Sequence, residues 1–408
     1  MQPLTNRTNV IHMHFYHFVF EILHDIFSIL HLPTQQEMRA TMGTVYDIVI
    51  VGGGPAGMAA AYLCHKSGLS YLLLESGKAP FQGIANTYPQ GKLVYATKPK
   101  DAPEPFLVDE LRPPDKPVTV ESYLQYIQHF VQHENINIRT EANLEDIRDE
   151  RNGLTVVSSK GSFKCRKVVL AFGSSIPREL LVYGDAKMVA KNMEDPSDYI
   201  GIKTLVIGGG NTAADVIIGL LKAKREAGDT QPVYWAHKAE IFDVNKETAQ
   251  RLGEEILLGG NIRLLPGATP RIGEVDDAGV DRLVIRINYF KQPDGIDLSH
   301  SLSFPMKNVI ACIGSQGPVP IFDKLNIQTI TCAASVCKIA KEGERLILLT
   351  EEYESTRKGI YVIGGAIAPS YMKISAGAIT EAKHPNLIYT AINDAYHVVE
   401  VIRKQLAK

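Results

Sequence analysis

The sequence predicts an α/β fold in which one parallel-sheet domain is inserted into another, and three observations carry that reading. An apolar strand, a glycine turn and a helix rich in Ala and Leu follow one another from Tyr46. The same unit recurs from Thr204, and each copy leads into a longer alternating stretch before another buried strand. A single repeat of a whole supersecondary unit means two related domains rather than a solenoid. A chain of 408 residues suits two cores better than one.

Taken in order, Ile48-Val49-Ile50-Val51 is a continuous apolar run, as expected of a strand buried on both faces of a parallel sheet. Pro55 to Lys66 reads as a helix closed by Gly68. Leu72-Leu73-Leu74 is the next strand and ends at Glu75, and the stretch Lys78 to Pro117 then shows little periodicity. Thr119 is placed to cap a helix running to about Gln132, with Tyr123, Ile127, Phe130 and Val131 on one side. Leu154 to Leu170 alternates around Lys160-Gly161, the signature of a hairpin. In the second copy, Thr204 to Ile207 is the strand, Gly208-Gly209-Gly210 the turn and Asn211 to about Lys224 the helix, before the strand Val233-Tyr234-Trp235. A second alternating region spans Ile262 to Ile310, with turns at Asp276-Asp277-Ala278-Gly279 and Pro293-Asp294-Gly295. One more buried strand, Ile360 to Ile363, precedes a closing helix from about Asn386.

Composition narrows the class. A formal net charge of −2 argues against nucleic acid as a partner, yet leaves room for a local basic patch facing an acidic carrier. Five cysteines without even spacing do not form a disulfide framework, which points to a reducing cytoplasm. Phe15 to Leu32 is interrupted by His17, Glu21, His24, Asp25 and His31, so it fails as a membrane span and lacks the marks of a signal peptide. The seven-residue spacing of those histidines puts ligand types on one helix face, but an amphipathic extension or an upstream start relative to Met42 accounts for them more simply. Residues 1–42 are read as an extension without an assigned role.

The chemistry sits in the glycine turns. Gly52-x-Gly54-x-x-Gly57 lies between strand and helix, and Glu75 follows at the next strand end, roughly twenty residues on, as a dinucleotide fingerprint requires. The first glycine permits the tight turn, the second lets backbone approach a pyrophosphate, and the third lets helix and strand pack closely. The helix N-terminus offers unpaired N–H groups to the phosphates, and Glu75 accepts from an adenosine ribose. Gly208-x-Gly210-x-x-Ala213 repeats the pattern with a small third residue. Its second strand ends in His237-Lys238 rather than an acid, which favours NADP(H) over NAD(H), because a carboxylate there repels a 2′-phosphate and these residues attract it. Two solvated residues after a strand are the plainer alternative.

These two fingerprints, with Ala171-Phe172-Gly173-Ser174-Ser175-Ile176-Pro177 between them and Gly359 to Ala366 near the end, resemble the thioredoxin-reductase-like flavoproteins from about Tyr46 onward. The resemblance implies FAD on the first fingerprint, NAD(P)H on the second, and two Rossmann-like dinucleotide-binding domains, the second inserted in a split first. The expected boundaries are 43–180 and 313–408 for the FAD domain and 181–312 for the NAD(P)H domain. The chain would cross at Ala171 to Pro177 and return at Ile313 to Pro320. The implied cofactor contacts are Gly52, Gly54, Pro55, Ala56, Gly57, Glu75, Ser76, Ala171, Gly173, Gly364, Gly365, Ala366 and Thr390 for FAD. For NADP(H) they are Gly208, Gly210, Asn211, Thr212, Ala213, His237 and Lys238. A homodimer is implied by the resemblance alone.

Two departures from the family shape the functional reading. Gly365 stands where the family has an Asp that touches the flavin's ribityl and phosphate region. No Cys-x-x-Cys occurs in Val182 to Lys203, which excludes an ordinary thioredoxin reductase. Cys332 and Cys337 form the one close pair, away from the family's disulfide position, and read as structural or incidental more readily than as a redox couple; Cys64, Cys165 and Cys312 read as small hydrophobes. The segment Tyr183 to Lys203 is similar to ferredoxin- or flavodoxin-NADP reductases of this type, so the expectation is hydride transfer from NADPH to FAD and onward to a small electron carrier or small-molecule acceptor. The start of the last helix, His384 to Ala391, would face the charge that develops on reduced flavin. His384 is either a proton donor there or a capping and packing side chain. Three alternatives stay open: a low-molecular-weight disulfide reductase, a flavin monooxygenase, against which the Phe-x-Gly-x-x-x-His element is missing, and a non-catalytic dinucleotide sensor.

Overall fold

The computed structural model describes residues 44–408 apart from 90, 95–108, 174–175, 179, 181–188, 192, 194, 276–280, 290–297 and 334–342. The chain divides into two units, Met1–Val45 and Tyr46–Lys408, and the elements below lie in the second, the first strand starting at its border. The histidines of the extension, the turns at Asp276 and Pro293, and Cys337 fall outside the described residues.

The first sheet is built from β1 (Val45–Val51), β2 (Tyr71–Leu74), β5 (Ile138–Arg139), β6 (Leu144–Glu150), β7 (Gly153–Ser158), β8 (Gly161–Leu170) and β20 (Ile360–Val362), in the order β5-β2-β1-β8-β7-β6 with β20 on β8. β1 runs parallel to β2, and β8 parallel to β20, while β6, β7 and β8 form an antiparallel meander. Alternation sorts β1 between two cores. Ile48 and Ile50 face α1 (Pro55–Lys66), α2 (Val120–His133) and the last helix, α5 (Ile388–Leu406), whereas Val49 and Val51 face the opposite layer with Phe163, Leu349 and Tyr371. α2 starts where Thr119 accepts the Ser122 N–H at 3.3 Å. α5 begins at Ile388, two residues later than its periodicity suggests, after a tight turn in which Leu387 N–H donates to the Pro385 carbonyl at 2.9 Å.

The second sheet has the order β12-β11-β10-β16, all parallel, from β10 (Thr204–Ile207), β11 (Val233–Ala236), β12 (Ile262–Leu265) and β16 (Val309–Ala311). α3 (Asn211–Glu226) and α4 (Lys246–Leu257) cover one face, and the antiparallel sheet β13 (Ala268–Val275), β14 (Asp281–Tyr289) and β15 (Leu298–Pro305) contributes Leu283 and Phe304 to the other. Between the two sheets the chain crosses at β9 (Ile176–Pro177) and returns at β17 (Ser315–Gln316), and these strands pair antiparallel with each other. A short pair, β3 (Leu93–Val94) with β4 (Val118–Thr119), brackets the proline-containing stretch. Lys92, just before β3, makes an ion pair with Asp215 of α3, and Asp215 also accepts from Arg251 of α4 at 3.1 Å. A third tie joins Arg178 to Glu344 at 2.7 Å.

β18 (Thr329–Thr331), β19 (Arg345–Thr350), β21 (Ser370–Ser375) and β22 (Ala378–Lys383) complete the C-terminal part as a mixed sheet. Cys332, buried after β18, is disulfide-bonded, which corrects the expectation of cysteines without a bridge. Cys64, Cys165 and Cys312 are free. No helix of the described residues is long and apolar enough to cross a membrane.

One buried cation holds the end of α3. Lys224, 2% exposed, donates to the carbonyls of Tyr199 and Ile202 and to Asp229, each at 2.7 Å. Burial pushes the Asp229 carboxyl upward, but Lys224 and the N–H groups of Gln231 and Gly201 outweigh it and hold the carboxyl below the usual range. A carboxyl depressed in the folded state contributes stability that is present above its unfolded value, about 3.9, and lost as pH falls through the native value. In urea unfolding followed by circular dichroism, Asp229→Ala is expected to cost about 3–5 kcal/mol at neutral pH, since it leaves Lys224 buried without its counter-charge. That deficit should shrink as pH falls below about 4.

Candidate dinucleotide sites

The first glycine turn is locked to two neighbouring strands. Gly52 N–H donates to the Leu74 carbonyl at 2.7 Å, and Ala171 N–H donates to Val51 at 2.7 Å. With φ +106°, Gly52 lies in the left-handed region, and a Cβ there would strike the Ala171 carbonyl. A Cβ on Gly57 would overlap the Gly52 carbonyl oxygen, so α1 packs onto the turn at a distance that only glycine allows. Gly54 differs, because a Cβ there meets nothing within 4 Å. It stands at the N-cap of α1, no side chain caps that end, and Pro55 opens the helix. A helix N-terminus with free N–H groups below open space fits a pyrophosphate.

Glu75 is 6% exposed and oriented by the backbone: Oε2 accepts from Gly53 N–H and Oε1 from Gly77 N–H, each at 2.6 Å, with Ser76 Oγ donating to Oε1 at 3.3 Å. An ionised carboxylate accepts about four hydrogen bonds, so capacity remains for a ribose hydroxyl. The C-terminal segment closes on the same turn. Gly364 approaches Ala56 so closely that a Cβ would crowd the Ala56 methyl at 2.8 Å, with Ala391 of α5 next to it at 3.6 Å. Gly365 and Ala366 follow in the helical turn Gly364–Ile367. Ala171 is buried beside Gly57, and Gly173 lies one step along the crossing segment. Thr390 is turned back on its own helix, donating to the Pro385 carbonyl at 2.7 Å. His384 is buried against Asp394 at 2.8 Å.

The second turn repeats the first. Gly208 N–H donates to Ala236 at 2.9 Å and Cys312 N–H to Ile207 at 2.7 Å; Gly208 has φ +132°, and a Cβ would strike the Cys312 carbonyl. Gly210 is open at the uncapped N-terminus of α3, and Ala213 is fully buried. Asn211 Oδ1 accepts the Asn245 N–H at 2.8 Å, which ties the loop before α4 to the helix start, while Thr212 is exposed. Trp235 Nε1 donates to the Gly208 carbonyl and fixes the turn from below. Where Glu75 folds back onto Gly53, His237 folds back onto Gly209, whose Cβ would collide with the imidazole. Burial, then the Lys238 ammonium, hold the His237 pKa below its ordinary value, and Lys238 itself is exposed.

Sequence reasoning missed the ties behind these turns: Lys92 to Asp215, Trp235 to Gly208, and Asp394 to Gly364. Each joins residues at least 27 positions apart, and no local pattern announces them.

Comparison with known proteins agrees with this geometry. Residues 49–250 match the pyridine nucleotide-disulphide oxidoreductase family. A ferredoxin--NADP reductase of Limosilactobacillus reuteri is 22% identical over 345 residues, 83% of this chain and 90% of that one. Among solved structures, a bacillithiol disulfide reductase of Staphylococcus aureus superposes with a TM-score of 0.65 at 18% identity, covering 89% of this chain and 99% of that chain. A thioredoxin reductase of Lactococcus lactis gives 0.62 at 18% identity, with the same coverage. The chain is thus an oxidoreductase with the two-domain α/β fold of the thioredoxin reductase type, similar over residues 49–250 to the pyridine nucleotide-disulphide oxidoreductases.

The open and the closed glycine make different demands. Gly54→Ala is expected to change stability by no more than about 0.5 kcal/mol, because its Cβ meets no protein atom, and to lower the flavin content if the first turn holds a flavin pyrophosphate. Gly57→Ala should cost more than about 3 kcal/mol and compromise folding itself. Thermal denaturation and the visible spectrum of each purified variant, side by side, check both.

Proposed function

We propose that this chain is an FAD-dependent NADPH oxidoreductase that passes electrons to a small ferredoxin- or flavodoxin-like carrier. The observation that carries the reading is the contrast at the two equivalent strand ends: a backbone-oriented carboxylate, Glu75, over the first turn and a basic pair, His237 and Lys238, over the second. An acid there suits the ribose of FAD, and two basic groups suit the 2′-phosphate of NADPH. The domain assignment follows, with FAD on residues 43–180 and 313–408 and NADPH on 181–312, in a cytoplasmic homodimer.

The acceptor is argued from what the thiols can do and from the names of relatives. A nucleophilic cysteine needs a depressed pKa. Burial instead pushes Cys165 and Cys312 up to about 12 and Cys64 upward as well, while Cys332 is already bridged. The three free described cysteines are therefore poor nucleophiles for dithiol exchange, and the L. reuteri relative is a ferredoxin--NADP reductase. When bound, FAD supplies a ring that takes up the reducing equivalents of the nicotinamide. The chain supplies the rest. The N-termini of α1 and α3 would hold the pyrophosphates, Glu75 would hold the ribose, and Gly365 and Ala366 would offer backbone N–H groups in place of the family's Asp. The start of α5, which no side chain caps, would offer N–H groups to negative charge on a flavin bound there.

Anaerobic titration of the purified protein with NADPH and with NADH tests the cofactor reading: bleaching of a yellow protein at far lower NADPH than NADH is the expected result. Ala substitution of His237 and Lys238 together should weaken NADPH about 10- to 100-fold, the worth of charge-assisted hydrogen bonds, and leave NADH unchanged. Because the His237 pKa is held low, its charge is added on the acid side, so the NADPH preference should rise as pH drops below about 6.5. His237→Ala alone should remove that rise. Reduction of ferredoxin or flavodoxin by the NADPH-reduced enzyme supports the carrier; turnover with low-molecular-weight disulfides and none with carriers would sink it.

A further inference from the structure

Between the final hairpin and α5 lies a buried titratable pair to which the cofactor contacts above give no task. His384 is 3% exposed and Asp394 5%. His384 Nε2 hydrogen-bonds Asp394 Oδ2 at 2.8 Å, and the same oxygen accepts the Gly364 N–H at 2.9 Å. Tyr353 lies beside the pair, its ring 5.8 Å from that of Tyr371, and burial, then the Asp394 charge, hold its pKa above the ordinary value. The remaining ring nitrogen, His384 Nδ1, is buried and has no partner. Gly364 in turn packs on Ala56 of the first fingerprint, so the carboxylate stands one hydrogen bond behind that turn.

The chemistry of the pair follows from these contacts. With Asp394 ionised the carboxylate only accepts, so Nε2 is the donor of this bond, and a ring that carries no second proton leaves Nδ1 as a bare acceptor. In that state the Asp394 charge is buried with neutral donors alone. Protonating Nδ1 completes an ion pair but creates a buried N–H without an acceptor, which is also unfavourable. The two states oppose each other, and a negative charge added nearby favours the protonated ring. The charged and titratable groups around the pair are Asp394 on α5, Tyr353 ahead of β20, Tyr371 on β21 with Glu351 beyond it, and His397 edge-on to Tyr353 at 5.8 Å. From Pro369 the ring's own backbone is fixed, since His384 N–H donates to that carbonyl at 2.8 Å.

We propose that His384 is the proton-holding residue of the flavin cradle, taking up a solvent proton at Nδ1 when an electron pair is placed on the flavin and releasing it on reoxidation, with Asp394 as its positioning residue. The step balances simply. An N–H bond forms at Nδ1 as an O–H bond of hydronium breaks, no electron moves on the protein, and the pyridine nucleotide is the reductant. The proposal rests on the reading of the first fingerprint as the flavin site.

The test uses the flavin-loaded protein, reduced anaerobically by light with EDTA as the electron donor and no acceptor. With an indicator dye in weak buffer, wild type is expected to bind about one proton more per flavin than His384→Gln, because only the imidazole can take up the compensating charge. Histidine-selective 15N spectra of wild type alone should show His384 as the neutral Nε2–H tautomer when oxidised and as imidazolium when reduced, a readout that needs no variant to fold. Asp394→Asn should retain flavin and lose the imidazolium signal. Equal proton counts, or a His384 signal unchanged on reduction, would overturn the proposal and leave the pair a structural tie. A protein colourless before reduction overturns the flavin assignment itself, and the two failures are told apart by the first spectrum.

Discussion

Each nucleotide turn leans on the backbone of the strand from which the chain leaves that sheet. Gly52 is pressed against the carbonyl of Ala171 just after β8, and Gly208 against the carbonyl of Cys312 just after β16. The supporting bonds correspond one for one, Ala171 to Val51 and Cys312 to Ile207, each at 2.7 Å. No side chain larger than hydrogen fits either contact. The glycine therefore does two things at once: it shapes the loop at the proposed pyrophosphate site, and it fixes the point at which the chain departs for the other sheet. The helix start, the strand end and the crossing all take their positions from this one close approach.

The two copies diverge where the strand that follows the helix ends. Glu75 turns its oxygens onto backbone N–H groups and becomes a rigid acceptor. His237 occupies the corresponding place over Gly209, shielded by Phe242 at 5.6 Å and next to an exposed lysine. A common scaffold thus presents an acid at one strand end and a basic pair at the other, and that contrast distinguishes the two proposed pyrophosphate sites.

Much of this was legible in the sequence because it is local. Alternation in Ile48 to Val51 separates two cores, glycine spacing marks the turns, and Thr119 announces its helix. The hairpin at Lys160-Gly161 follows from the same short-range logic. What escaped is set by contacts between distant residues. Nothing near Lys92 indicates that its partner is Asp215, 123 positions away. Asp394 reads as an ordinary polar residue of an amphipathic helix until Gly364, His384 and Tyr353 are seen around it. Cys332 stands out in the sequence as one of a close pair, but spacing alone does not say whether it is bridged.

The pairing of β9 with β17 has a topological corollary. Pro177 lies opposite Ser315 and Ile176 opposite Gln316, so the outgoing and incoming strands are adjacent, about 5 Å apart between opposed Cα atoms. The whole intervening stretch is thus a cassette with neighbouring ends. Excising it would leave a gap that a tight turn of a few residues can close, and a foreign domain whose own termini adjoin could be spliced in without disturbing the seven-stranded sheet. Such modularity describes how one nucleotide-binding unit can come to reside within another: insertion between two adjacent strand positions demands nothing of the host beyond a hairpin.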